Sequence, residues 1–266
     1  MNDPKNSGGG VSLVLSFLKE TLNFMFPECC CICGKLADAD GRFSAYERFC
    51  EDLTGKPSGL HICGKCLSSF APYEPSRRWL LCLSNPYDDD PVPNLTLYMP
   101  MAYDGLVKSA IPVVKFGKKK ELACFLGCLL GSFMESDCIG ADLMVPVPLS
   151  EERFKERGFN QAAELAKSAA AILGIPYAEN VLLRTRNTNR QTELKGNLER
   201  IANVTGAFEA SEEWDLKGLT LIVVDDVATT GFTLHEAAMA LYDAGASKVL
   251  CVAFAGNRQV KNAEVF

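Results

Sequence analysis

The 266-residue sequence lacks a hydrophobic run long enough to cross a bilayer. Its apolar stretch near the start, VSLVLSFLKETLNFMF at 11–26, is interrupted by Lys19 and Glu20 and falls short of the roughly 18 to 20 residues that a membrane span needs. The stretch also lacks the small-residue cleavage site of a secretory signal peptide. We therefore expect a cytoplasmic protein with no transmembrane segment, in which 11–26 forms an apolar helix.

The sequence also lacks an excess of basic residues. Its 27 Lys and Arg are outnumbered by 33 Asp and Glu, which leaves a net charge of −6 at pH 7. Affinity for nucleic acid therefore cannot come from the overall charge and would require a local basic patch. Apolar residues make up 48% of the chain and charged residues 23%, a composition that supports a hydrophobic core and excludes wholesale disorder.

Two common phosphate-binding motifs are absent, since the sequence contains neither GxGxxG nor GxxxxGK[ST]. From about residue 95 onward, candidate strands alternate with amphipathic helices, a pattern typical of an α/β fold with a mostly parallel sheet. The strands are predicted at 95–103, 141–148, 181–185, 216–226 and 247–256, and the helices at 119–135, 158–174 and 232–245.

Composition divides the chain into four parts. A glycine-rich tail at 1–10 is expected to be disordered, and an apolar helix with a cysteine-rich module follows at 11–70. The segment 71–95 carries five prolines, which argue against a regular element and indicate a linker. The α/β domain then occupies 96–266.

The most informative stretch is LIVVDDVATTGFT at 221–233. Asp225 and Asp226 end an apolar strand, at the edge where open parallel sheets bind ligands, and adjacent carboxylates suit the vicinal hydroxyls of a ribose or a cation. The following loop leads into a helix, so its backbone N–H groups and hydroxyls can cradle a monophosphate. This loop consists of Ala228, Thr229, Thr230, Gly231, Phe232 and Thr233. The alternative is a strand-to-helix turn in which one side chain merely caps the helix, and one carboxylate or hydroxyl would suffice for that. The two carboxylates, the several hydroxyls and the glycine here exceed what a cap needs.

These 13 residues resemble the phosphoribosyl pyrophosphate signature of type I phosphoribosyltransferases. The resemblance implies that Asp225 and Asp226 hold the ribose hydroxyls and that the loop from Ala228 to Thr233 surrounds the 5′-phosphate. It also implies that magnesium binds together with phosphoribosyl pyrophosphate, largely through the oxygens of that ligand. The fold implied is a type I phosphoribosyltransferase-like parallel sheet flanked by helices.

A second segment, PVPLSEERFKERGFNQAAELA at 146–166, is by its charges alone a mixed, solvated loop. It resembles the PVPL…RGFNQ segment of the ComF family, the competence-associated relatives of phosphoribosyltransferases. In that family the segment implies a pyrophosphate loop, with Arg157 as the contact to pyrophosphate or phosphate. A guanidinium suits this role because its planar fork matches phosphate oxygens.

Two basic segments extend the resemblance. The segment 184–208 resembles the flexible catalytic loop of the family, which implies substrate contacts from Gln191 and Arg200. The segment 108–120 carries five lysines, and Lys115 begins a lysine-aromatic-glycine match that implies a substrate contact from Lys115. Pro112 is atypical of the helix expected before this match. Solvated surface segments remain the alternative for both, and a basic run with an aromatic residue also suits a nucleic-acid backbone.

Seven of the twelve cysteines lie between residues 29 and 66, which favours a metal site over a disulfide framework. Two CxxC pairs, Cys30 with Cys33 and Cys63 with Cys66, predict a structural zinc site of four thiolates, and the ComF family carries a similar module. Other candidate ligands are Cys29, Cys31, Cys50 and His61. The remaining cysteines are predicted to be small core residues: Cys82, Cys124, Cys128, Cys138 and Cys251.

The sequence thus predicts a ComF-like protein that binds phosphoribosyl pyrophosphate and, as an enzyme, transfers the phosphoribosyl group to a nitrogen acceptor, with Asp225, Asp226 and Arg157 as catalytic residues. The alternatives are a protein that binds single-stranded DNA during uptake or recombination, and a sensor without turnover. We also consider a homodimer. Because the sequence starts Met1-Asn2-Asp3, without a nucleophilic cysteine, we expect no glutaminase activity, and we expect His235 to be an exposed helix residue rather than a base.

Overall fold

The computed structural model describes residues 29–36, 60–74, 79–82, 95–185 and 206–256. The tail expected at 1–10, the helix expected at 11–26, Cys50, Gln191 and Arg200 lie outside these ranges. Within them, no helix has both the length and the apolar character needed to cross a membrane.

A six-stranded sheet forms the centre of the described fold. Its strands are β1 (Trp79–Cys82), β2 (Leu95–Tyr98), β3 (Met101–Ala102), β4 (Leu143–Pro146), β7 (Thr220–Ala228) and β8 (Lys248–Gly256). They lie in the order β1-β2-β8-β7-β4, with β3 beside β8, and every pair is parallel except β1 with β2. The prediction of a mostly parallel sheet is confirmed.

The linker prediction and one strand prediction needed correction, and one predicted strand lies outside the central sheet. The proline-rich segment 71–95 does contain a regular element, β1, because its proline-free stretch WLLC pairs with β2 at the sheet edge. The strand expected at 95–103 is split at Met99-Pro100, since proline has no N–H to donate to a ladder. The strand expected at 181–185, β5 (Leu182–Arg184), pairs with β6 (Phe208–Ala210) in a separate antiparallel sheet.

Helices cover both faces of the central sheet. They are α1 (Gly64–Ser68), α2 (Gly105–Phe116), α3 (Lys120–Ser136), α4 (Glu151–Arg157), α5 (Gln161–Leu173) and α6 (Phe232–Asp243). On one face, which we name the first core, α2, α3 and α5 pack against Ile222 and Val224. On the other face, the second core, α6 and the β5–β6 sheet pack against Leu221 and Val223. The alternation of side chains along buried strands produces this three-layer α/β architecture.

Local sequence accounts for both ends of α5. Asn160 caps α5 by accepting the N–H of Ala162, and Gly174 closes it in the left-handed conformation, as predicted. The helix α2 runs through Pro112, a residue type that is atypical of helix interiors. Burial of its apolar face in the first core compensates for the hydrogen bond that this proline removes.

Candidate functional site

The loop after β7 is built for close approach of a ligand. Gly231 adopts φ 79°, in the left-handed region that favours glycine, and begins α6 without a side-chain cap. Thr229, Thr230, Gly231 and Thr233 line a cavity of about 230 Å³ beside the carboxyl ends of the strands. Phe232 is instead buried at the first position of α6 and does not line this cavity. A helix start with uncapped N–H groups is a favourable place for an anion.

Two carboxylates meet this cavity at the end of β7. The Oδ2 of Asp226 lies 2.6 Å from the Nζ of Lys115, in the last turn of α2, while the backbone N–H of Asp226 donates to Oδ1 of Asp225 at 2.8 Å. Burial and the neighbouring charge of Asp226 raise the pKa of Asp225 to about 7, and the ammonium of Lys115 only partly opposes this shift. Asp225 is therefore an acid that changes charge near neutral pH.

Three arginines bring positive charge to the same cavity. Arg153 and Arg157 come from α4, and Arg184 comes from β5. Burial lowers the pKa of Arg157, and the carboxylate of Asp226 opposes that shift. The guanidinium of Arg184 lies 5.2 Å from the ring centroid of Phe208 and donates to the carbonyl of Pro148 at 3.3 Å, and burial lowers its pKa to about 10. Among the described lining residues, four cations therefore face two acids, a balance that suits an anionic ligand.

Three buried polar atoms in the cavity wall have no hydrogen-bond partner within the described part of the chain. They are Nε of Arg157, a residue 9% exposed, Oε1 of Gln161, a residue 3% exposed, and Oδ2 of Asp226, which forms the ion pair with Lys115. Leaving such a group unsatisfied costs about 1–3 kcal/mol, so native structures rarely do so without a ligand or water. A bound molecule that forms hydrogen bonds with these atoms would therefore satisfy the polar groups of the cavity wall.

The structure brings nine of the predicted site residues to one cavity. They are Lys115, Arg157, Asp225, Asp226, Ala228, Thr229, Thr230, Gly231 and Thr233. Four other polar residues line the cavity and were not predicted as site residues: Tyr103, Arg153, Gln161 and Arg184. Arg153 lies four positions before the RGFNQ match and Gln161 is its last residue, so both could have been found there, whereas nothing in the sequence near Tyr103 indicates a site.

The expectation for His235 was wrong. Its side chain is buried, at 3% exposure, with Nδ1 3.4 Å from Oε1 of Glu236. The other oxygen of Glu236 accepts the backbone N–H of Gly206, just before β6. Because α6 packs against β8 on one side and the β5–β6 sheet on another, a position that would be exposed on an isolated amphipathic helix is enclosed.

The structure also gathers the four cysteines of the two CxxC pairs. The sulfur atoms of Cys30, Cys33, Cys63 and Cys66 all lie within 4.8 Å of one another, and those of Cys33 and Cys63 are 3.7 Å apart. A tetrahedral zinc with Zn–S bonds of about 2.3 Å has S–S edges of about 3.8 Å, so the cluster fits the ion. Neither Cys29, Cys31 nor His61 belongs to this cluster, although all three are described.

Local electrostatics separate the two adjacent candidates Cys30 and Cys31. Burial raises the pKa of the Cys30 thiol, but the backbone N–H groups of Cys33, Cys63 and Ile32 outweigh it and lower that pKa to about 7. Burial raises the pKa of Cys31 to about 12. Since the thiolate is the metal ligand, Cys30 is the better donor.

The prediction that the remaining cysteines are core residues was correct for Cys124, Cys128 and Cys251. Cys138 is exposed, because it lies in the turn after α3 with φ 55°, where the chain leaves the core. Cys82 lies in β1, whose side chains are outside the described ones.

Residues 160–265 match the phosphoribosyl transferase domain family. The chain is 32% identical to the DNA utilization protein YhgH of Salmonella typhi over 192 residues, which cover 70% of this chain and 74% of that protein. It is 32% identical to the competence protein ComFC of Bacillus subtilis over 144 residues, which cover 54% of this chain and 56% of that protein.

Solved structures show partial likeness. A glutamine phosphoribosylpyrophosphate amidotransferase from B. subtilis is 23% identical with a TM-score of 0.34, over 53% of this chain and 26% of that chain. A hypoxanthine phosphoribosyltransferase from Staphylococcus aureus is 12% identical with a TM-score of 0.34, over 55% of this chain and 70% of that chain. The domain match and the similarity to curated relatives show that the chain belongs to the ComF family of phosphoribosyltransferase-like proteins.

Proposed function

We propose that the protein binds the magnesium complex of phosphoribosyl pyrophosphate in this cavity and transfers the phosphoribosyl group to a nitrogen acceptor. The observation that carries the proposal is the convergence of three groups on one cavity: the carboxylates ending β7, the threonine-glycine loop before α6, and the arginines of α4 and β5. Each suits a different part of this ligand. Magnesium belongs to the substrate complex, in which the oxygens of the ligand hold it.

In the proposed complex, the 5′-phosphate accepts hydrogen bonds from the loop around Thr229 to Gly231 and from the start of α6. The ribose hydroxyls donate to the carboxylates at the end of β7. The pyrophosphate lies against Arg157, whose buried Nε then gains the partner that the described part of the chain does not give it.

The proposed reaction breaks the bond between C1 of the ribose and the pyrophosphate oxygen, and it forms a bond from C1 to nitrogen. The electron pair of the broken bond leaves with pyrophosphate, and the attacking nitrogen loses its proton. Because negative charge grows on the leaving group, preorganised cations such as Arg157 and Arg184 would stabilise the transition state more than a protein nucleophile could. Nothing in this scheme uses His235.

Calorimetric titration with phosphoribosyl pyrophosphate and magnesium tests the site. We expect Asp225→Asn combined with Asp226→Asn to weaken binding at least about 100-fold, because hydrogen bonds to charged groups contribute about 1.5–3 kcal/mol each. The matched control is Glu212→Gln with Glu213→Gln, an adjacent pair of exposed acids away from the cavity, which should leave the affinity unchanged. Unchanged affinity in the Asp225/Asp226 variant would refute the site.

The names of the relatives, a DNA utilization protein and a competence protein, favour a second candidate function, binding of single-stranded DNA. Of the five lysines in 108–120, Lys115 and Lys120 are engaged by Asp226 and Glu164, while Lys108, Lys118 and Lys119 are exposed. This function would be favoured if calorimetric titration with phosphoribosyl pyrophosphate gave no heat of binding and the protein bound a single-stranded oligonucleotide. Substitution of these three lysines should then weaken oligonucleotide binding. Tight binding without pyrophosphate release would instead favour a sensor.

We also propose that Cys30, Cys33, Cys63 and Cys66 hold a structural zinc ion, since four protein ligands leave no open position for chemistry. Cysteines used as metal ligands rather than in disulfides are typical of a reducing compartment, so the proposal includes a cytoplasmic location.

A further inference from the structure

The helix α2 is weak by its own sequence. Its 12 residues include one glycine, one proline and four β-branched residues, none of which favours a helix, and Pro112 removes a hydrogen bond from its interior. Gly105, its first residue, has φ 43°, outside the helical region, and Asp104 before it forms no side-chain cap. Helices of about 12 residues are marginal in water even with favourable sequences, so α2 depends on the elements around it.

The cysteine module lies beside α2. Buried residues from its described parts, 29–36 and 60–70, belong to the first core together with the buried face of α2. Those of the module are Cys30, Leu60, Ile62, Cys63 and Cys66, and those of α2 are Val107, Ala110, Ile111 and Val114. Cys33 and Cys63 also line one cavity of about 670 Å³ together with Leu106 of α2. The four-cysteine cluster therefore borders the first turns of α2.

The other end of α2 reaches the proposed substrate cavity. Lys115, in the last turn, lines that cavity with its Nζ 2.6 Å from Oδ2 of Asp226. Tyr103, just before α2, lines it too, but its backbone N–H donates to the carbonyl of Gly256 in β8 at 3.1 Å, so the sheet holds this residue. None of the described module residues lines the cavity. The helix α2 thus borders the module at its start and carries Lys115 into the cavity at its end.

We propose that the cysteine module is a positioning element for the substrate cavity: with zinc on its four cysteines it keeps α2 helical and so holds the ammonium of Lys115 in the cavity. Loss of zinc then weakens substrate binding at a site that no described module residue lines. This inference rests on the proposed function, because its ligand is phosphoribosyl pyrophosphate. The physical basis is local unfolding, since the apparent affinity of a ligand that needs ordered α2 falls with the fraction of molecules in which α2 is ordered.

Amide hydrogen exchange of the full chain tests the support of α2 without any ligand. The zinc-loaded protein is compared with protein depleted by a chelator selective for zinc over magnesium, well below the melting temperature. We expect exchange across 107–116 to become at least about tenfold faster on depletion and to recover when zinc is added back, while α6, on the other face of the sheet, changes less than about twofold. Equal loss of protection in α6 would mean that zinc holds the whole fold, and it would overturn the inference.

Calorimetric titration of the same samples with phosphoribosyl pyrophosphate and magnesium tests the effect on the cavity. We expect the affinity to fall about tenfold on zinc removal and to recover on zinc addition. Cys66→Ser should reproduce the loss without a chelator, whereas Cys138→Ser, at an exposed cysteine outside the cluster, should bind like the wild type. Unchanged affinity in the zinc-depleted protein would also overturn the inference.

Pro112→Ala separates support of α2 from general stabilisation. Alanine restores a backbone N–H and is the best helix former, so α2 then needs less support from the module. The zinc-loaded variant should bind like the wild type, and zinc removal should weaken its binding only about threefold. A loss as large as in the wild type would contradict a route through α2. Failure of the proposed function has a separate signature, because the zinc-loaded wild type would then show no binding, and hydrogen exchange alone would decide whether the module supports α2.

Discussion

At the scale of single residues, the site is defined by how burial acts on charge. Asp225 has its pKa raised from 3.8 to about 7 by burial and by the charge of Asp226. Arg184, stacked on Phe208, has its pKa lowered to about 10 by burial. Both shifts describe charged groups that are poorly solvated in the cavity wall, and a charged ligand with its own donors and acceptors would relieve both.

The raised pKa of Asp225 predicts how stability depends on pH. Between about pH 4 and pH 7 the folded protein keeps a proton on this carboxyl that the unfolded chain has released, so stability from this group is lost as pH rises through that window. We expect Asp225→Asn to raise the melting temperature relative to the wild type by a few degrees at pH 8 and not at pH 4. Thermal melts of both proteins from pH 4 to pH 8 measure this, and parallel curves would contradict the raised pKa.

At the scale of elements, the contact between α3 and α5 positions one wall of the cavity, because α5 begins with Gln161. The two helices approach closely at Gly127 and Gly131. A Cβ at Gly127 would lie 2.6 Å from the carbonyl oxygen of Leu165, and one at Gly131 would lie 2.8 Å from Cβ of Ile172. Small residues here therefore set the distance between the helices.

This close contact predicts that Gly127→Ala destabilises the protein, although alanine is the better helix former. The gain in helix propensity is about 1 kcal/mol, whereas forcing backbone atoms apart in a packed interface costs about 1–3 kcal/mol, so the net effect is a loss. Chemical denaturation of the variant measures the change in the free energy of unfolding. Gly140→Ala serves as control, because nothing lies within 4 Å of the Cβ that it adds. An increase in stability for Gly127→Ala would show that the helices separate easily.

At the scale of the whole molecule, the cysteine module and the α/β domain share one core. Cys30, Ile62, Cys63 and Cys66 belong to the same buried cluster as the apolar faces of α2 and α3. Phe70, just after α1, meets Phe125 of α3 edge-on with ring centroids 5.9 Å apart. Loss of order in the module would therefore expose part of the core of the transferase-like domain.

The shared core predicts the effect of removing a proposed zinc ligand. We expect Cys63→Ser to abolish stoichiometric zinc and to lower the melting temperature of the protein in a single transition, because metal binding and folding are coupled. Metal analysis of the purified protein and differential scanning calorimetry provide the two readouts. Cys138→Ser, at an exposed cysteine outside the cluster, should change neither. Full zinc occupancy in Cys63→Ser would rule out this ligand set.

The sequence by itself determined the features whose signals are contiguous. The strand, acids, loop and helix start at 221–233 follow one another within 13 residues, so they indicate a ligand site without knowledge of the rest of the fold. The two CxxC pairs are equally local, since each holds its sulfur atoms together by chain geometry alone. The alternation of strands and helices, likewise periodic in sequence, predicted the parallel sheet.

Only the tertiary structure decided which distant residues join these local features. Arg184 reaches the cavity because β5 pairs with β6 outside the main sheet, and His235 is buried because other elements enclose α6. The partner of Asp226 is Lys115, 111 positions away in the sequence, on a helix that shares the first core with β7. Burial and ion pairing depend on what the folded chain brings together, and no periodicity of the local sequence encodes them.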